Sequence, residues 1–118
     1  MTLEDGRATT ESAEVPPVIT VVGLGPGDAD LVTAGTLAAI RAHDPASRFL
    51  RTTRHPAAVV LGPVTTFDDV YDAADTLGEV YPAIVERLAH EARVHGAVLY
   101  AVPGSPVVAE RTVELLLA

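Results

Sequence analysis

Val18-Ile19-Thr20-Val21-Val22-Gly23-Leu24-Gly25-Pro26-Gly27-Asp28 is the stretch that decides how this chain folds. A β-branched run ends in a loop of three glycines and one proline. Leu37 and Ile40 then share a helical face three apart, with Leu31 or Ala34 one turn back, and Thr33 is a candidate N-cap. A strand that runs through a glycine-rich loop into a helix brings bare backbone amides close to a ligand, at the C-terminal edge of a sheet. The stretch predicts a small-molecule site in an α/β protein.

Outward from this point the elements alternate. Arg48-Phe49-Leu50 reads as a short strand and Arg51-Thr52-Thr53-Arg54-His55-Pro56 as a polar loop at its C-terminal end. Pro56 starts one or two helical turns over 57–61, Gly62-Pro63 breaks them, and 64–66 is a third strand. Residues 68–77 mix acidic and apolar side chains and have no clear period. Val80, Ile84 and Leu88 form one stripe of a helix over about 79–94. Thr76 and Glu79 have capping-box spacing. That start would leave Pro82 beyond the first turn, at a cost of about 3 kcal/mol, so a start near Val80 is expected. Ala97-Val98-Leu99-Tyr100-Ala101-Val102 is a continuous apolar run suited to a central parallel strand. Pro103-Gly104-Ser105-Pro106 is a second tight loop, and 107–117 a closing helix. The alternation predicts a three-layer α/β fold, a mostly parallel sheet with helices on both faces. Residues 1–17, polar and acidic, read as a leader without fixed structure, which leaves 18–118 as the domain. Leu115-Leu116-Leu117-Ala118 carries no helix stop signal, so the polypeptide is expected to continue.

Composition removes several function classes. The net charge of −8 argues against a nucleic-acid backbone as partner, since that needs a basic face. With no cysteine there is no disulfide, zinc-thiolate site or cysteine nucleophile. No apolar run approaches the roughly 20 residues of a membrane span, and the N-terminus lacks a signal-peptide pattern. These features fit a cytoplasmic protein. Asp68, Asp69, Asp72, Asp75 and Glu79 match no calcium loop and read as a solvated face, so no metal site is expected. Tyr71, Tyr81 and Tyr100 read as packing residues.

Gly23-Leu24-Gly25-Pro26-Gly27-Asp28 followed by Leu31-Val32-Thr33 resembles the opening signature of the tetrapyrrole (corrin/porphyrin) methylase family. Residues 97–106 sit where that family has an apolar strand and a Gly-Asp-Pro loop. Leu50-Arg51-Thr52 with His55-Pro56, Thr66-Phe67-Asp68-Asp69-Val70-Tyr71, Glu79-Val80-Tyr81 and Ala109-Glu110-Arg111-Thr112-Val113 resemble one subgroup, in which a methylase-like domain precedes a MazG nucleotide pyrophosphohydrolase domain. The resemblance implies two α/β lobes with S-adenosylmethionine in the trough between them, and this chain corresponds to the first lobe. It implies methyl transfer to a small-molecule substrate by the complete domain, with the isolated lobe inactive. Implied partners are the C-terminal lobe and a MazG domain of the same polypeptide, and a second copy in a homodimer. The acidic helix pair of MazG chemistry is absent from these residues. A second reading is a non-enzymatic regulatory or assembly module attached to a MazG enzyme.

Three groups of residues are site candidates. Gly25, Pro26 and Gly27 form the first loop. A dinucleotide fingerprint would need glycine at position 28, where Asp28 stands, so nicotinamide binding is rejected. The loop is either the edge of a ligand site, stiffened by Pro26, or a bare turn. Pro103, Gly104, Ser105 and Pro106 form the second. In the family the glycine and an acidic residue of this loop contact S-adenosylmethionine. Gly104 carries over, but Ser105 replaces the acidic residue: its hydroxyl can accept a hydrogen bond but brings no negative charge to strengthen it. This loop too is either a cofactor contact or a plain strand-ending turn. Arg51, Arg54 and His55 form the third: an anion site for a substrate carboxylate or phosphate, or a solvated loop in which His55 caps the next helix.

Overall fold

The computed structural model describes residues 2–4, 16–105 and 111–117. The sheet is built around β5 (Ala97–Val102), whose last five residues are all buried. A strand buried on both faces has no use for polar alternation, which is why this run is apolar throughout. β5 pairs in parallel with β2 (Val18–Gly23) on one side and with β3 (Arg48–Leu50) on the other. β3 pairs in parallel with the short β4 (Thr65–Thr66). β1 (Thr2–Glu4) lies antiparallel to the start of β2, and the strand order is β1-β2-β5-β3-β4. The expected unstructured leader therefore does not hold for residues 2–4, where main-chain pairing with Val18, Ile19 and Thr20 orders the chain. Residues 5–15 lie outside the described residues.

Side chains alternate across the sheet as a two-residue period requires. Val98, Tyr100 and Val102 join Ile19, Val21 and Phe49 on one face. That face is covered by α2 (Asp68–Ala73), α3 (Leu77–His95) and α4 (Arg111–Leu117). Leu99 and Ala101 join Val22 and Leu50 on the other face, under α1 (Ala34–Arg41) and the 3₁₀ turn Pro56–Leu61. This is the three-layer α/β architecture expected. No helix among the described residues is long and apolar enough to cross a membrane.

The N-cap of α1 is Thr33, whose hydroxyl accepts from the Thr36 amide at 3.1 Å. At the other end Arg48 Nε donates to the carbonyls of Ile40 and His43, and its Nη1 to that of Leu61. One guanidinium thus satisfies the helix end and ties it to the 3₁₀ turn. Residues 68–73, unassigned from sequence, are helical, with Asp68 and Asp69 in the first turn where negative charge suits the dipole.

α3 begins at Leu77, three residues earlier than the start near Val80 expected from Pro82, which consequently lies inside the helix. Two contacts explain the earlier start. The Glu79 carboxylate accepts from the Asp75 amide at 3.1 Å, and the Glu79 amide donates to the Thr76 carbonyl. The Thr76 side chain makes no capping bond, and Glu79 accepts from the amide of Asp75 rather than that of the N-cap Thr76, so the glutamate closes the helix start without the reciprocal box. Pro82 and Gly78 are both exposed, so the carbonyl that loses its amide partner is open to water. Val80, Ile84, Leu88 and Ala92 are buried against the sheet as the stripe predicted.

Candidate functional site

β2 and β5 end side by side, and their loops are stitched together. The Leu24 amide donates to the Val102 carbonyl at 2.9 Å, extending the parallel ladder by one step. Gly25 and Gly104 then exchange amide-to-carbonyl bonds at 3.1 and 3.0 Å, an antiparallel bridge. Both have positive φ, 78° and 67°, which glycine adopts without a Cβ penalty. A Cβ on Gly25 would sit 3.1 Å from the Leu31 carbonyl oxygen. One on Gly104 would meet nothing within 4 Å among the described residues, so its side faces open space there.

That space is a cleft of about 650 Å³ at the C-terminal end of β2, between the two loops and the start of α1. Gly25, Pro26, Gly104 and Ser105 line it, with Thr33 and Thr36 of α1 opposite. Its walls are mainly apolar, with a few polar groups, the usual make-up of a small-molecule site. Thr36 donates from its hydroxyl to the Gly23 carbonyl at 3.2 Å, which holds the helix against the end of β2. Thr36 was not singled out from sequence; the only available signal was its three-residue spacing from the capping Thr33. Gly27 does not line the cleft, and a Cβ there would sit 3.1 Å from Leu31 Cδ1. Pro103 does not line it either, and Pro106 lies outside the described residues.

Arg51 and Arg54 line a second cleft of about 400 Å³, together with Thr52, Thr53, Asp68 and Tyr71. Asp68 organises this loop. Its carboxylate accepts from the hydroxyls of Thr52 and Thr53, both at 2.8 Å, and from the Thr53 amide at 3.2 Å. Desolvation pushes the Asp68 carboxyl up, and the hydrogen bonds from Thr53 and Thr52 outweigh it, so it lies below the ordinary carboxylate range. Asp68 is thus an anchor within the acidic stretch read from sequence as a solvated face. Its partners lie 15 and 16 residues away, beyond the reach of a local pattern. Arg51 Nη1 donates to the Tyr71 hydroxyl at 2.9 Å. Burial pushes that hydroxyl's pKa up, against the lowering pull of Arg51.

His55 lines neither cleft but joins their loops. Its Nδ1 accepts from the Ala57 amide at 3.0 Å, capping the 3₁₀ turn as one reading held. Its Nε2 lies 2.9 Å from the Gly25 carbonyl oxygen. Both ring nitrogens are therefore engaged with main chain, while Arg51 and Arg54 face the cleft next to it.

The family model described as Tetrapyrrole (Corrin/Porphyrin) Methylases matches residues 18–118. The chain is 43% identical over 102 residues to the "Uncharacterized protein YabN" of Bacillus subtilis (strain 168). That alignment covers 83% of this chain and 20% of the relative, so the chain spans about a fifth of that protein's length. No solved structure matches the chain significantly.

Proposed function

The chain belongs to the tetrapyrrole (corrin/porphyrin) methylase family, and on that premise we propose that it is the N-terminal lobe of an S-adenosylmethionine-dependent methylase-like domain, with a C-terminal lobe and a MazG domain following in the same polypeptide. The observation that carries this reading is the Gly25–Gly104 bridge, which sets two glycine loops together at the C-terminal ends of neighbouring parallel strands, beside an apolar cleft. Ligands of open parallel sheets bind at such strand ends. The open space on the side of Gly104 where a Cβ would project fits the close approach of a cofactor. The family generally uses S-adenosylmethionine, and Gly25, Pro26, Gly104 and Ser105 are the residues that would hold it here. When bound, it supplies an electrophilic methyl group on sulfur.

The chain's own contribution is placement. The paired loops fix one wall of the cleft, and the apolar lining excludes water, the two effects on which methyl transfer chiefly depends. Arg51 and Arg54, on the loop beyond β3, are suited to hold a carboxylate or phosphate of a small substrate. A lobe alone leaves its ligand largely exposed, whereas effective pockets bury about 70–90% of it, so the isolated lobe is inactive and the complete domain is the working unit. Leu31 and Val59 add exposed apolar surface on two turns that touch one another, which supports self-association as a homodimer. The absence of cysteine fits a cytoplasmic protein.

The second reading, a non-enzymatic module attached to a MazG enzyme, is favoured by Ser105, which offers no carboxylate to a cofactor. Calorimetric titration of S-adenosylmethionine into the two-lobe protein separates the two. Saturable binding, with residues 1–118 alone at least tenfold weaker, is the expected result. No heat of binding at millimolar ligand would overturn the methylase reading and leave the module.

A further inference from the structure

We propose that His55 is a positioning residue that latches the ligand-facing loop at Gly25 to the arginine loop, and so couples the two clefts. This deepens the reading of the first cleft as a ligand site and rests on it. The chemistry is set by the partners. The Ala57 amide can only donate and the Gly25 carbonyl can only accept, so the imidazole is neutral with its hydrogen on Nε2. Gly25 is then held on two sides: by the reciprocal bonds with Gly104 and by His55 across 30 residues of chain. Its carbonyl oxygen accepts from both the Gly104 amide and His55 Nε2. An oxygen committed twice to the protein is less available to a ligand, which leaves the loop's remaining groups to set the wall. On the other side His55 follows Arg54 directly and starts the turn Pro56–Leu61. An anionic ligand drawn to Arg54 therefore pulls on the same short segment that fixes Gly25.

Two substitutions divide the bridge. The Oδ1 of asparagine can replace Nδ1 and keep the cap to Ala57, but its side chain is too short to reach Gly25. The amide nitrogen of glutamine can replace Nε2 and keep the bond to Gly25. In the ¹⁵N-labelled chain, His55 should show the Nε2-protonated shift pattern. Exchange of the Gly104 amide proton should quicken about fivefold in His55→Asn, the effect of losing one ordinary hydrogen bond, and return to the wild-type rate in His55→Gln. An Nδ1-protonated ring in the wild-type chain would overturn the proposal, and that measurement stands even where a variant fails to fold. So would an unchanged Gly104 amide in folded His55→Asn, or the absence of rescue by His55→Gln. In the two-lobe protein S-adenosylmethionine should bind at least fivefold more weakly to His55→Asn than to His55→Gln; equal affinities would count against the coupling. Failure of wild type to bind that ligand at all would instead overturn the methylase reading, with the exchange rates still deciding the role of His55.

Discussion

Gly25 and Gly104 face each other in antiparallel register immediately beyond two strands that run parallel, with Gly23 opposite Val102 as the last parallel pair. The chain reverses its pairing sense within two residues on each side, and left-handed backbone at both glycines makes the reversal possible.

Replacing the two glycines should therefore have unequal costs. Gly25→Ala adds a Cβ 3.1 Å from a main-chain oxygen to the strain of positive φ, and should destabilise the protein by about 2–3 kcal/mol. Gly104→Ala meets no atom of the described residues within 4 Å and should cost only the conformational strain, about 1 kcal/mol. Urea denaturation checks the order: midpoints that coincide, or that rank in reverse, would contradict the geometry.

Asp68 should make part of the protein's stability acid-labile. Its carboxyl lies below the ordinary range in the folded chain because bonds from Thr53 and Thr52 outweigh desolvation. The stability it contributes is complete above the unfolded-chain value of about 3.9 and is lost as pH falls through the lower folded value. Asp68→Asn should cost about 1 kcal/mol at neutral pH, at the low end for charged hydrogen bonds because the site is open to solvent. The difference from wild type should shrink below pH 4, and a gap that persists unchanged to pH 2 would exclude this account.

Tyr100 and Thr112 share a fully buried hydrogen bond of 2.9 Å between their hydroxyls, which ties α4 to the central strand. Tyr100→Phe keeps the ring contact with Phe67, whose centroid is 6.0 Å away. The loss should be about 1 kcal/mol, or roughly 4 °C in Tm by calorimetry. A Tm within one degree of wild type would show that the bond adds nothing.

Pro82→Ala should stabilise. The substitution supplies the amide that Gly78 lacks and removes the ring from the second turn of α3, at a gain of about 1–3 kcal/mol. Thermal melts monitored at 222 nm give the answer, and a lower Tm would mean that the proline constrains the unfolded chain more than it strains the helix.

Strong local patterns carried most of the architecture. The apolar run at 97–102 announced a central strand, Thr33 a helix start, and Val80, Ile84 and Leu88 a buried stripe, because each depends on neighbours in sequence. The adjacency of the two glycine loops comes from the pairing of β2 with β5, which joins stretches about 80 residues apart and so has no local signature. What escaped depends on distant partners. Asp68 looked like surface charge until Thr52 and Thr53 were found against it. The second bond of His55 runs to a carbonyl 30 residues back, and main-chain atoms leave no trace in composition. The start of α3 differs from expectation because the cost of Pro82 is offset by contacts ahead of it, the Asp75 amide on the Glu79 carboxylate among them, which a rule about proline alone does not weigh.

The two faces of the sheet also differ in what they show to light. All five aromatic side chains, Phe49, Phe67, Tyr71, Tyr81 and Tyr100, lie in or against the layer under α3. Phe49 and Phe67 stack at 5.8 Å, and Tyr71 meets Tyr81 edge-on at 6.3 Å. The opposite layer, with α1 and the glycine loops, is aliphatic, and the protein has no tryptophan. Near-ultraviolet dichroism and intrinsic fluorescence are thus one-sided witnesses. They register the arginine cleft through Tyr71, which Arg51 touches, and are blind to a loosening of the glycine cleft.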